Sequence, residues 1–141
     1  MKIMICGSMT FAKEMVETKK KLEGMGYEVE VPCDTHVFIE DPNFTTDDHV
    51  VNHKHCVEND IMRRCFKLIE KSDAILVLNH EKNGIEGHVG ASTLMEIGLA
   101  YYLGKKIFLL NPPPHVKKVK SSHEILITQP VILDGDLAKI V

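Results

Sequence analysis

Two stretches of the chain combine residue types that do chemistry with a spacing that aims them at one place. The first is Gly87-His88-Val89-Gly90-Ala91-Ser92-Thr93-Leu94-Met95-Glu96. Glycines give way to a helical pattern that opens with two hydroxyls and carries a carboxylate one turn later. Glu96 then shares a helix side with Ser92 and Thr93. Its neighbours Met95, Ile97, Leu99 and Ala100 are apolar, and a carboxylate there is costly to bury without a partner. Two readings stand. Glu96 is either bonded to backbone at a domain seam or dimer contact, or held against a substrate. His88, just ahead of the helix, has the chemistry to contact phosphate or pass a proton near neutral pH. A solvent-facing loop histidine fits its position equally well.

The second stretch is Gly7-Ser8-Met9-Thr10, which joins a strand to a helix. Gly7 permits close backbone approach, and Ser8 or Thr10 can cap the helix. Free N–H groups at a helix start favour an anion such as phosphate, although a plain capped helix explains the same residues. A third group, His49, His53, His55 and Cys56, lies within eight residues. His49 and His53 would share a face if that segment were helical. No fourth ligand pair stands at zinc spacing, so the expected metal complement is none, and no cofactor is implied. A polar lid or a surface loop is the plainer reading of these histidines.

The elements that must position these residues follow from hydrophobic periodicity. Ile3–Cys6 is a short apolar run, read as a buried strand. Phe11, Met15, Thr18, Leu22 and Met25 repeat at helical spacing, with Gly24 and Gly26 ending the helix. Tyr27–Val31 alternates apolar and charged residues, as an edge strand does. From Cys33 to about His55 no period is sustained, and a loop of more than 20 residues is unusual in a compact domain. That segment is expected to be a functional lid or to hide a short helix. A helix returns over Val57–Lys71, with Ile61, Cys65, Leu68 and Ile69 inward. Ala74–Leu78 is a continuous apolar strand, His80–His88 a polar loop, and Ala91–Leu103 a helix closed by Gly104. Lys106–Leu110 and Pro130–Leu133 supply two more strands, and Asp136 caps a last turn.

Strands alternating with helices predict a parallel sheet with right-handed crossovers. The expected fold is a single α/β domain over residues 1–141, doubly wound and flavodoxin- or Rossmann-like. Five parallel strands in order 2-1-3-4-5 carry helices on both faces. Ligands of such sheets bind beyond the carboxyl ends of the strands, where strand order reverses. Here that point lies between the first and third strands and brings Gly7–Thr10 together with Asn79–Gly90.

Composition narrows the function classes. Apolar residues at 44% and charged residues at 26% are those of an ordinary globular chain rather than a disordered one. A net charge of −3 gives no general attraction to nucleic acid or to an anionic membrane. The lysines Lys117, Lys118 and Lys120 read as a solvated loop. The four cysteines show no CxxC pairing, and no apolar stretch approaches the ~20 residues that span a bilayer. The chain opens directly on a strand with no signal-peptide pattern, so the cytoplasm is the expected compartment. The expected partner is a small molecule, not a nucleic-acid polymer or a membrane.

The same residues resemble a known group. Ile5-Cys6-Gly7-Ser8, Ser72-Asp73-Ala74-Ile75-Leu76-Val77 and Ser92-Thr93-Leu94-Met95-Glu96-Ile97-Gly98-Leu99-Ala100, with Gly104-Lys105-Lys106-Ile107 after them, resemble the nucleoside 2-deoxyribosyltransferase superfamily. That superfamily includes the 2′-deoxynucleoside 5′-monophosphate N-hydrolases. Its helix Glu is the nucleophile on C1′ of deoxyribose, and the resemblance puts that role on Glu96. The chain departs from the pattern at Cys65, where the family carries an acid eight residues before the Asp opening the third strand. Asp60 stands thirteen before Asp73. At Gly90, six before Glu96, the family has Asp or Ser. Ser92-Thr93 replaces its Gly-Thr. Gly90–Glu96 is also a loose echo of the Gly-Thr-x-x-Glu stretch of cytokinin-activating nucleotide phosphoribohydrolases.

The expected activity is therefore N-glycosidase cleavage of a nucleoside or nucleotide, with deoxyribosyl transfer as a variant of it. Glu96 is the nucleophile, and Asp60 or His88 protonates or orients the leaving base. Gly7, Ser8, Met9, Asn79, Gly90, Ser92 and Thr93 hold sugar or phosphate. The resemblance also implies a homodimer or larger homo-oligomer. The competing expectation is a non-catalytic nucleotide sensor on the same fold.

Overall fold

A computed structural model describes all residues, 1–141. Its sheet is built from β1 (Lys2–Cys6), β2 (Glu28–Glu30), β3 (Ala74–Val77), β4 (Lys106–Leu109) and β5 (Val131–Ile132). The order is β2-β1-β3-β4-β5, as expected, and every pairing is parallel. The central pair runs from Ile3 opposite Ala74 to Cys6 opposite Val77. These are the continuous apolar runs of the sequence, and β3 is buried along its length because both its faces are covered.

The two faces divide the side chains by strand alternation. Met4, Cys6, Ile75, Val77, Ile107 and Leu109 pack under α4 (Ile61–Glu70), α5 (Ala91–Tyr102) and α6 (Ser122–Ile127). Ile3, Ile5, Leu76, Leu78 and Phe108 pack under α1 (Ala12–Gly24) and the C-terminal stretch through Leu133 and Ile140. Asp136 caps the final turn by accepting from the Ala138 N–H.

While two local expectations change, the segment from Cys33 to His55 hides short helices, as one of its two readings had it. It contains α2 (Thr35–Glu40) and most of α3 (His49–Glu58). α2 buries only Thr35 and α3 buries nothing, so neither leaves a hydrophobic period in the sequence. The helix expected over Val57–Lys71 is two helices. Asp60, with φ 50°, breaks the chain between α3 and α4. Met25, expected on the inward face of α1, lies past its end and is 46% exposed. No helix is long and apolar enough to cross a membrane.

Candidate active site

The carboxyl ends of β1 and β3 open into a cavity of about 300 Å³. Gly7, Ser8 and Met9 follow β1 into it, and Gly90, Ala91, Ser92, Thr93 and Glu96 enter it from the start of α5. The turn after β1 depends on Gly7. Its φ is +152°, and a Cβ there would stand 3.2 Å from the Leu78 carbonyl oxygen. An L side chain is strained in that backbone region and crowded besides.

Glu96 is 8% exposed and faces the cavity from the second turn of α5. Burial pushes its carboxyl up to about 7, against the neighbouring Cys6 thiol, which pulls it down. The Asp34 charge adds a smaller push upward. The Cys6 thiol, beneath Glu96 at the end of β1, is itself driven well above its ordinary range by burial and by the Glu96 charge. Glu96 is thus a desolvated carboxylate with a thiol nearby and a second acid within electrostatic reach.

That second acid is Asp34, which the sequence reading missed. It is 4% exposed and sits at the start of α2, yet its side chain makes no capping bond. Oδ2 lies 3.0 Å from His55 Nε2. Oδ1 is buried without a hydrogen-bond partner. His55 is held by the ring edges of Phe44 and Phe38, at centroid distances of 4.9 and 6.4 Å. The one available signal was position, since Pro32-Cys33-Asp34 leaves the carboxyl end of β2, next to the switch point.

A cationic corner completes the wall. Lys82 Nζ donates to Ser8 Oγ at 3.0 Å, and Lys82 and His88 both line the cavity. The Ser8 hydroxyl also accepts from the Thr10 N–H and donates to Thr10 Oγ1. It has no capacity left for a ligand, and its part is to hold the ammonium at the wall. His88 Nδ1 is buried without a partner. Burial, then the Lys82 charge, pulls its imidazole below the ordinary 6.5. At pH 7 it is neutral, which argues against His88 as a proton source and leaves it as a hydrogen-bonding group. Phe38 from α2 and Ile61, Met62 and Phe66 from α4 give the remaining wall an apolar surface.

Two of the residues expected at the site stand apart from it. Asp60 is exposed, 3.8 Å from Arg63, and does not line the cavity. Its left-handed backbone turns it to solvent rather than along the α4 face. Asn79 is fully buried, but its amide is spent on another task. It donates to the carbonyls of Asn111 and Gly87 and accepts from the Asn111 N–H. The cross-link ties the loop after β3 to the loop after β4. Cys65, at the position where the resembled family carries an acid, lines the cavity as a thiol 3.9 Å from Cys33 Sγ. Of the histidines weighed as metal ligands, His49 and His53 are exposed on α3 while His55 turns to Asp34.

No protein-family profile matches the chain, and no curated protein matches it. Among solved structures, CMP N-glycosidase BcmB of Clostridium botulinum aligns at 19% identity over 94% of this chain and 85% of its own, with a TM-score of 0.47. A 2-desoxiribosyltransferase from Leishmania mexicana aligns at 19% identity over 84% of this chain and 71% of its own, with a TM-score of 0.53. With its five parallel strands in the order 2-1-3-4-5, this chain shares the fold of that 2-desoxiribosyltransferase.

Proposed function

We propose that the protein cleaves the bond between base and sugar in a nucleotide, with Glu96 as the nucleophile on C1′. The observation that carries this reading is Glu96 itself, a buried carboxylate facing a cavity of about 300 Å³. Breaking an N-glycosidic bond develops oxocarbenium character at C1′. A carboxylate stabilises that charge and can capture the sugar as a glycosyl-enzyme intermediate, later released to water or to another base. With its proton lost near pH 7, Glu96 is available as the anion in neutral solution.

The cationic corner argues for a phosphorylated substrate. The Lys82 ammonium is fixed by Ser8, and the N-terminus of α5 at Gly90–Ser92 lies on the same cavity. Together they present positive charge and unpaired N–H groups to an anion. The apolar wall of Phe38, Met62 and Phe66 suits the face of a base. The fold shared with a deoxyribosyltransferase agrees with this reading.

Release of free base from a panel of nucleosides and their 5′-monophosphates, followed by chromatography, tests it. Wild type is expected to cleave monophosphates in preference. Glu96→Gln is expected to lose at least about 10³-fold in turnover, as enzymes do when a group of the reacting unit is removed. Undiminished turnover in Glu96→Gln refutes the assignment. Saturable binding without base release from any compound would instead identify a nucleotide-binding protein with no turnover.

A further inference from the structure

Resting on the glycosidase reading of the cavity, we propose that Asn52 selects the base. It favours bases with a carbonyl oxygen on the edge farthest from the glycosidic bond, uracil or hypoxanthine, over those with an amino group there, cytosine or adenine. The wall that suits a base comes from α2, α3, α4 and the segments joining them, and most of it is apolar. A base laid on that wall turns its polar edge away from water, and an edge without a partner there loses hydrogen bonds. Three side chains of the wall carry nitrogen or oxygen: Asp34, Thr46 and Asn52. Asp34 is engaged by His55 through Oδ2, and its Oδ1 is sealed from solvent. The Thr46 hydroxyl both donates and accepts, so it discriminates nothing. Asn52 differs, because the two ends of its amide are unequally placed.

Asn52 stands one turn before Cys56 on α3, and residues so spaced are neighbours on a helix surface. Its Oδ1 accepts from the Cys56 thiol, whose Sγ lies 3.7 Å away. Cys56 in turn packs against the core beneath α4. The amide carbonyl is thus turned back along its own helix. Nδ2 donates to no group of the protein, and the residue lines the cavity. What Asn52 offers a ligand is therefore a pair of N–H donors. A carbonyl oxygen accepts from them, whereas an amino group meets them donor to donor.

The depth of the two residues sets which edge of the base is read. Glu96 is 8% exposed, deep in the cavity, and Asn52 is half-buried, nearer its mouth. With C1′ held at Glu96, the base extends outward, and the edge opposite its glycosidic nitrogen arrives at Asn52. On that edge the bases differ by one group, oxygen in uracil and hypoxanthine, amino in cytosine and adenine.

Base release from 5′-monophosphates in matched pairs tests the proposal: uridylate against cytidylate and inosinate against adenylate, in ribose and deoxyribose form. Within each pair wild type is expected to favour the carbonyl member by about 10–100-fold in kcat/KM, the worth of a matched hydrogen bond over two opposed donors. Asn52→Ala should shrink that ratio to within about threefold. Asn52→Asp keeps an acceptor for the Cys56 thiol but puts an oxygen where the N–H groups were, and it should turn the preference toward the amino member. α3 buries no side chain, so both variants should keep the fold. Inhibition by ribose or deoxyribose 5-phosphate, which carries no base, should then match wild type. A wild-type preference for the amino members, a ratio that survives Asn52→Ala, or weakened inhibition by the sugar phosphate in the variants overturns the proposal. Calorimetric titration of the same nucleotides into Glu96→Gln separates it from the reading beneath it. A carbonyl preference in affinity, with no base release by wild type, fails the glycosidase reading alone. Base release without the preference fails the assignment of Asn52 alone.

Discussion

Replacing Glu96 by glutamine should make the protein more stable, and by an amount set by pH. Burial raises the Glu96 carboxyl from 4.5 to about 7. The folded state therefore holds this proton more tightly than the unfolded chain does. The stabilisation is complete below pH 4.5 and is lost as pH rises through 7. Over that interval wild type loses roughly 3 kcal/mol relative to a neutral isostere, at about 1.4 kcal/mol for each tenfold change in proton affinity. Glutamine keeps the shape but has no charge to desolvate. The stability gap between Glu96→Gln and wild type should be close to zero at pH 4 and grow across pH 5–7. It should level off near 3 kcal/mol by about pH 8, a difference of roughly 10 °C in Tm for a chain of this size. The chain has no Trp, so urea unfolding followed by far-UV circular dichroism at each pH is the suitable assay. A gap that does not change with pH refutes the reasoning, as does a variant less stable than wild type at pH 8.

Three further outcomes follow from the same geometry. Lys82→Met should raise KM for a 5′-monophosphate by about 10–100-fold, the worth of a charge-assisted hydrogen bond, while leaving the unphosphorylated nucleoside unaffected; equal effects on both compounds would remove the phosphate from that corner. Asn79→Ala should cost about 1–3 kcal/mol in urea unfolding, because it strands the Asn111 N–H and carbonyl in a half-buried position; a neutral result would show that the cross-link between the loops is dispensable. The thiols of Cys6 and Cys65 are buried and held protonated well above neutral pH, so both should resist a disulfide reagent at pH 8 until the protein unfolds. Mass spectrometry finding either one modified in the native protein would contradict their burial.

The sheet was legible in the sequence because its strands are buried on both faces. Ile3–Cys6 and Ala74–Leu78 are apolar without a break, and only central parallel strands read that way. Glu96 was legible for the opposite reason, as a charge interrupting an apolar helical pattern. Asp34 was not legible. Its meaning depends on His55, 21 residues away, and on the folding back of a segment that has no hydrophobic period. Asp60 was misplaced because the period of α4 runs on smoothly into Val57. Nothing in that pattern signals a left-handed residue at the junction. Asn79 stands at the switch point that sheet topology predicts, but the same position lets it join two loops, and its hydrogen bonds are committed there.

The lack of buried side chains in α3 has a thermodynamic consequence. This helix carries Asn52, His55 and Cys56 on or beside the cavity, while its ties to the rest of the fold are the bond from His55 to Asp34, the aromatic contacts around that ring and the packing of Cys56 against the core beneath α4. Swinging it outward exposes almost none of the core. Opening of this wall and global unfolding are therefore separate equilibria, with the wall at the low-energy end. Its amide protons should exchange with solvent through local fluctuations long before those of β1 and β3. A ligand touching Asp34 would slow that exchange in α3 while leaving the sheet untouched, so hydrogen exchange would report occupancy without any need for turnover.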